Sequence, residues 1–294
     1  MMCLFSKKMK SLCTLLSLLA VTLLAGMSPV HAQLSIKRVD NWLIIHGDQI
    51  PGGDIKINYL EAFCRGGSTD ADWVKHTVVG HKTETRFENT LENKRIKLRS
   101  KLDDGLWVEH DIVAGDDEVS FTLTAYNTSD HVNEAQWAQP CVRLGNFAGV
   151  ETDAPKCPDI KLSNSFVFLD GKLTRMPTPE WNTKARYVPG QVWCPKEVPR
   201  IDVNPRPLNT LVPSNGLIGC FSKDGKWLFA MAFEPYQELF QGVAQCLHSD
   251  FRIGLLNPGE SRDIRGKIYL MPNDVPALLK RYAKDFPEQQ VKNH

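Results

Sequence analysis

The chain has 294 residues, of which 42% are hydrophobic, 9% aromatic and 23% charged, a balance that excludes a disordered chain. Its 18 prolines and 20 glycines exclude a long coiled coil. With 35 basic and 34 acidic side chains it carries no broad basic field, so no nucleic-acid partner is expected, because phosphate binding needs clustered Lys and Arg.

The first 32 residues read as a secretory signal peptide. Lys7, Lys8 and Lys10 precede an apolar run from Leu12 to Met27, and Val30-His31-Ala32 offers the small residues a signal peptidase needs. The run is short for a bilayer span. Cleavage after Ala32 is therefore expected, leaving residues 33–294 as a single secreted or periplasmic domain with no membrane partner. Cys3 and Cys13 leave with that segment, and Cys64, Cys141, Cys157, Cys194, Cys220 and Cys246 remain. An oxidising space makes one or more disulfides an expectation, with Cys157 and Cys194 the pair to test first. No CxxC occurs, so neither a metal nor a cofactor is expected.

From there period-2 alternation dominates. Strands are expected over 34–46, 54–63, 73–80, 82–88 and 94–102. Leu106, Val108 and Ile112 form one face of the next, interrupted by His110, and Val119 to Tyr126 alternates apolar with hydroxyl residues, with Gly115-Asp116-Asp117 as the turn between them. Further strands are expected over 135–144 and 165–169. Gly216 to Phe221 and Lys226 to Phe233 flank an Asp224-Gly225 hairpin turn, and strands over 241–253 and 262–270 follow. One helix is expected after Asn273 or Asp274, with Pro276 in its first turn, a stripe of Leu278, Leu279, Tyr282 and Phe286, and Pro287 as its stop. Residues 177–213 hold eight of the prolines with Trp181, Tyr187 and Trp193, and read as an ordered binding loop over one sheet. The sum is an all-β protein: a large antiparallel β-sandwich of about a dozen strands with one C-terminal helix.

The strand Glu118 to Tyr126 followed by Asn127-Thr128-Ser129-Asp130, the strand Trp137 to Arg143, and Asn257-Pro258-Gly259-Glu260-Ser261 before a final strand together resemble the galactose-mutarotase-like β-supersandwich of sugar epimerases, polysaccharide lyases and glycosidases. Gly190-Gln191-Val192-Trp193-Cys194-Pro195 and His248-Ser249-Asp250-Phe251-Arg252 are similar to phrases in exported proteins of carbohydrate-degrading environmental bacteria. The resemblance implies a supersandwich fold and a carbohydrate substrate or ligand. The epimerases' catalytic His and Glu have no residue-by-residue match here.

The strongest local constellation is Glu234-Pro235-Tyr236-Gln237-Glu238 followed by Cys246 to Arg252. On a strand His248, Asp250 and Arg252 share a face, and a carboxylate beside an imidazole suits general acid or base catalysis. His248 or Tyr236 is the candidate proton-transfer group, with Arg252 or Arg143 to neutralise a uronate carboxylate. Glu234 and Glu238 are the nearest carboxylate pair for a hydrolase. Trp137, Gln139 and Arg143, with Trp181, Arg186, Tyr187 and Trp193, are candidate sugar-stacking and hydrogen-bonding groups. The competing structural readings are a buried polar network around His248, ordinary core tryptophans, a satisfied core His110, and solvated His76 and His81, which lack a third metal ligand. No GxSxG, HExxH, Walker loop or dinucleotide fingerprint is suitably placed. The chemistry expected is lyase, dehydratase or epimerase proton transfer; a carboxylate-pair glycoside hydrolase and a non-catalytic carbohydrate-binding or cell-envelope protein are the alternatives.

Overall fold

A computed structural model describes residues 33–67, 73–150, 162–180, 190–202, 208–242 and 246–291. Two antiparallel sheets face each other. In chain order the strands are β1 (Ser35–Val39), β2 (Trp42–His46), β3 (Ile55–Arg65), β4 (Val78–Val79), β5 (His81–Glu88), β6 (Arg95–Leu102), β7 (Leu106–Ala114), β8 (Glu118–Asn127), β9 (Ala135–Arg143), β10 (Ser165–Leu169), β11 (Lys172–Arg175), β12 (Gln191–Trp193), β13 (Pro213–Phe221), β14 (Trp227–Glu234), β15 (Tyr236–Gln241), β16 (Cys246–Arg252) and β17 (Ser261–Pro272). The first sheet runs β1-β2-β3-β9-β16-β15-β12, with β4 on β3, and the second runs β11-β10-β13-β14-β17-β8-β7-β6-β5. Helices are α1 (Trp73–His76), α2 (Gly145–Ala148), α3 (Val275–Asp285) and α4 (Glu288–Val291).

In the second sheet the alternation of the sequence becomes the alternation of burial. Along β6, Ile96, Leu98, Ser100 and Leu102 point inward, while Arg95, Lys97 and Lys101 face solvent. His110 on β7 does point into the core, where its Nδ1 pairs with Tyr59 Oη at 2.9 Å and its Nε2 with Ser100 Oγ at 3.1 Å, so this polar intrusion is satisfied. The main core lies between the sheets and includes Phe63, Phe121, Phe233, Phe251, Trp193 and Tyr59. A second cluster buries the far side of β10, β13, β14 and β17 beneath α3 through Leu278, Tyr282 and Phe286. Asp274 caps that helix by accepting from Ala277 N at 2.9 Å.

Four details depart from the expected strands. Residues 34–46 form a hairpin, because Asp40 turns the chain at φ 52° beside Asn41, and Asx residues tolerate that left-handed conformation. Trp73–His76 is a helical turn, leaving only Val78–Val79 as strand. The stretch 241–253 divides into the end of β15 and all of β16, and the proline-rich segment contributes β12, which pairs Val192 with Phe240 and Trp193 with Leu239. The described cysteines, Cys64, Cys141, Cys194, Cys220 and Cys246, are all free thiols. Cys157 lies outside the described residues, so the expected pairing with Cys194 has no geometry here.

Candidate active site

β9, β15 and β16 lie in the middle of the first sheet, and nearly every residue on them is buried on both faces. On β16 the odd positions Leu247 and Phe251 enter the inter-sheet core. By strand periodicity Cys246, His248, Asp250 and Arg252 then face the other way. That outer face is buried too, yet it is polar. An apolar strand would gain more from the same burial, so each group there demands a partner.

Register assembles the row. Glu238 lies opposite Asp250 and Phe240 opposite His248 on one side; on the other, Arg143 lies opposite Cys246 and Trp137 opposite Arg252, which brings Gln139 and Cys141 level with Asp250 and His248. Gln139 Nε2 donates to Asp250 Oδ2 at 3.2 Å. His248 Nδ1 sits 3.3 Å from Asp250 Oδ1, close enough for charge pairing without the alignment of a full hydrogen bond. Its Nε2 faces Glu61 Oε2 at 3.8 Å, and Glu61 Oε1 stands 3.8 Å from Arg143. Glu61 owes its place to a register shift of β3 against β9 between Asn58 and Ala62. His248 is 2% and Asp250 0% exposed, whereas the Glu61 side chain is 37% exposed. The row therefore runs from solvent at Glu61 and Arg143 to a fully buried carboxylate.

The charge states follow from these neighbours. Burial works against a protonated His248, but Asp250 and Cys246 outweigh it and hold the ring's pKa up at about 10. Burial raises the Asp250 pKa, against the pull of the same imidazole. The neighbouring Cys141 thiol, donating to the Cys246 sulfur, lowers Cys246 well below an ordinary thiol, and Cys141 rises correspondingly. Arg143 is held charged by Cys141, Cys246 and Glu61 despite its burial.

The proline-rich segment covers the row. Val192, Cys194 and Val198, with Leu208, pack over Cys141, Phe240 and Cys246. Arg252 ties this cover down: its guanidinium donates to Gln237 Oε1 and reaches Asp202 Oδ2 at 3.4 Å, while Gln237 Nε2 donates to Asp202 O at 2.8 Å. Thr178, Gln191 and Asn209 anchor its base, with Gln191 and Asn209 both donating to Pro179 O.

The fold thus collects His248, Asp250, Arg252, Glu238, Gln139 and Arg143 on one face. It places three other candidates elsewhere. Tyr236 belongs to the inter-sheet core and lines a cavity of about 500 Å³ with Lys196, Glu197, Asp170 and Gln289; burial first, then nearby acidic groups, push its hydroxyl pKa well up. Glu234 ends β14 in the second sheet, where Gln289 donates to it, so it does not face Glu238. Trp193 points into the inter-sheet core, consistent with its register opposite inward-facing Leu239. Trp137 shares the outer face with Gln139 but is fully buried, against Ala62 and Cys64. Trp181, Arg186 and Tyr187 lie outside the described residues. Sequence reasoning missed Glu61, Cys141 and Cys246. Cys141 stands at the alternate position between Gln139 and Arg143, a signal that was present; Glu61 depends on a register shift that no local pattern announces.

Among the described residues, the His, Cys, Asp and Glu groups that converge to metal-ligand separations are Cys141, Cys246 and His248, with their ligand atoms within 4.8 Å of one another.

No family model and no curated protein matches this chain. Among solved structures it is similar to a protein of Escherichia coli provisionally described as an aldose 1-epimerase, at 12% identity and TM-score 0.44 over 81% of this chain and 99% of that one. A galactose mutarotase-like protein from Lactobacillus casei gives 8% and 0.37 over 81% and 99%. A glycosyl hydrolase family 38 protein from Enterococcus faecalis gives 8% and 0.46 over 89% of this chain and 32% of its own. At such values the likenesses supply no residue roles.

Proposed function

We propose that the protein is an exported carbohydrate-active enzyme that works by proton transfer, with Glu61 as the group that meets the substrate. The supporting observation is the chain of groups from half-exposed Glu61 through buried His248 to fully buried Asp250. Epimerisation, elimination and ring opening of a sugar all require a proton to leave one atom while charge is stabilised nearby. Glu61 supplies the base, at a distance that keeps it accessible to solvent and substrate. Arg143, beside it, offers planar donors to a uronate carboxylate or a sugar hydroxyl. His248, held by Asp250, supports positive charge directly behind the base. Glu238 and Asp250 are the carboxylates that stand directly opposed, but both are fully buried, which favours proton transfer over hydrolysis between a facing pair.

The test is turnover. The full chain, produced in a bacterial host and purified, is incubated with neutral and uronic-acid oligosaccharides while reducing ends, ultraviolet absorbance of unsaturated uronates and product mass are followed. A new product should appear, and Glu61→Gln should lower its rate by about 10²- to 10⁴-fold with the fold intact by circular dichroism. Undiminished turnover in Glu61→Gln would remove Glu61 from the chemistry. Sugar retained without turnover by the unmodified protein would replace the enzyme with a binding protein. Mass measurement of the exported product should begin it at Gln33.

A further inference from the structure

The buried side of the row holds a pair of thiols that the proton-transfer reading does not use. We propose that Cys141, Cys246 and His248 form a binding site for a zinc ion, open toward Glu61. The three ligand atoms already lie within 4.8 Å of one another. Zinc with bonds of about 2.3 Å to sulfur and 2.0 Å to nitrogen sets its ligands about 3.5 to 4 Å apart, so side-chain rotation on rigid strands closes the remaining gap. All three residues project from neighbouring strands in the middle of a sheet, where backbone positions are least free to drift.

The surroundings match those of a metal centre rather than of an ordinary thiol pair. With His248 Nδ1 turned toward Asp250 Oδ1, Nε2 is the nitrogen left to bind the ion, and Asp250, itself held by Gln139, becomes the carboxylate that orients a metal-bound imidazole. Neither His248 Nδ1 nor Asp250 Oδ1 has a well-aligned hydrogen bond in the described structure, and metal binding supplies the alignment. Val192, Val198 and Phe240 form an apolar shell around the thiols. Glu61, 3.8 Å from His248 Nε2, stands where a fourth ligand or the partner of a metal-bound water belongs. Two thiolates neutralise the dication, Asp250 keeps the metal-bound imidazole as its partner, and Glu61 stands beside Arg143. Binding displaces to solvent whatever protons the two sulfurs and His248 Nε2 carry. Thiolate and imidazole donors in a compact, buried site select zinc over magnesium or calcium.

This site concerns the same row as the proposed reaction, but it is read out without substrate. The full chain, purified without chelators, should carry close to one zinc per molecule by elemental mass spectrometry. After removal of zinc under reducing conditions, titration with cobalt(II) should give thiolate-to-cobalt charge-transfer absorption and tetrahedral visible bands. Cys141→Ser and Cys246→Ser should each abolish the charge-transfer intensity or cut it by about half, and Cys220→Ala should leave it unchanged. Asp250→Asn should weaken zinc binding by about 10- to 100-fold while the spectrum persists at saturation. Reduced, folded wild-type protein that gives no cobalt spectrum overturns the proposal. So does a cobalt spectrum that survives both serine substitutions, and so does recovery of Cys141 and Cys246 as a disulfide in the purified protein. A zinc-bound protein without sugar turnover would sink the proposed reaction and leave this site standing.

Discussion

His110 and His248 are both buried histidines, one held neutral and the other held protonated, and the difference lies in their neighbours. His248 stands beside Asp250 and Cys246; His110 stands between two neutral hydroxyls, and burial, reinforced by Arg38 and His81, lowers its pKa to about 3. A folded-state pKa below the value of 6.5 for a free imidazole means that the unfolded chain takes up a proton at mild acidity that the folded chain refuses. The stability that neutral His110 supports is therefore complete above pH 6.5 and falls as pH drops through the window from 6.5 to about 3. At pH 5 the loss amounts to about 2 kcal/mol. Urea unfolding of wild type and His110→Gln at pH 7 and pH 5 isolates this contribution, since the other titrating groups are common to both. The substitution should cost more at pH 7 than at pH 5, by about 2 kcal/mol. An equal cost at both pH values would show that His110 is protonated inside the fold.

At the scale of elements, α3 is the clearest case of a sequence pattern that closes into packing. Leu278, Tyr282 and Phe286 fill the outer side of the second sheet, and the Tyr282 hydroxyl accepts from Gly216 N at 3.0 Å. Leu278→Ala should lower stability by about 2–5 kcal/mol through the cavity it leaves, and Asp274→Ala by about 1 kcal/mol through the lost cap, both measured as shifts of the urea midpoint. A Leu278→Ala midpoint within error of wild type would mean that the helix is not docked in solution. The stripe, cap and stop of this helix were legible because one face is buried and the other is wet. The same holds for β6, β7 and β8, whose alternation gave their strands. It fails for β15 and β16: with both faces covered, nothing in the pattern marks the break near Gly242, and 241–253 reads as one strand. Polarity on the buried outer face of β16 was legible as His248, Asp250 and Arg252, and Glu238, Gln139 and Arg143 were named from the sequence too, but Glu234, a close neighbour of Glu238 in sequence, sits on the other sheet. Glu61 joins the row by a register shift, which spacing along the chain cannot reveal, whereas Cys141 was marked by its alternation with Gln139 and Arg143.

Across residues 33–294 the two sheets divide labour. Their inner faces hold the fold, and the outer face of the first sheet carries the polar row. The inner faces are joined by a chain of rings: Tyr59 to Phe121 at 5.7 Å, Phe121 to Phe233 at 5.4 Å, Phe233 to Phe251 at 5.5 Å, and Phe251 to Phe63 at 6.4 Å between centroids. This chain passes from β3 to β8 and β14 and back to β16, so it couples both sheets. Phe233 is its centre, and its ring lies directly over Gly266, where an added Cβ would approach within 2.1 Å; the strand was built around that ring. Phe233→Ala should therefore cost about 3–5 kcal/mol and lower the melting of both sheets together, with far-UV circular dichroism and tryptophan fluorescence following one transition. Arg252→Ala removes instead the tie between β16 and the covering segment at Asp202. It should open residues 195–202 to proteolysis while moving the global transition much less than Phe233→Ala does. If Phe233→Ala separates the two probes into distinct transitions, the sheets are stabilised independently and the ring chain does not couple them. If Arg252→Ala instead matches Phe233→Ala in global cost, the covering segment is part of the folding core, and the polar row beneath it cannot be reached by opening the cover alone.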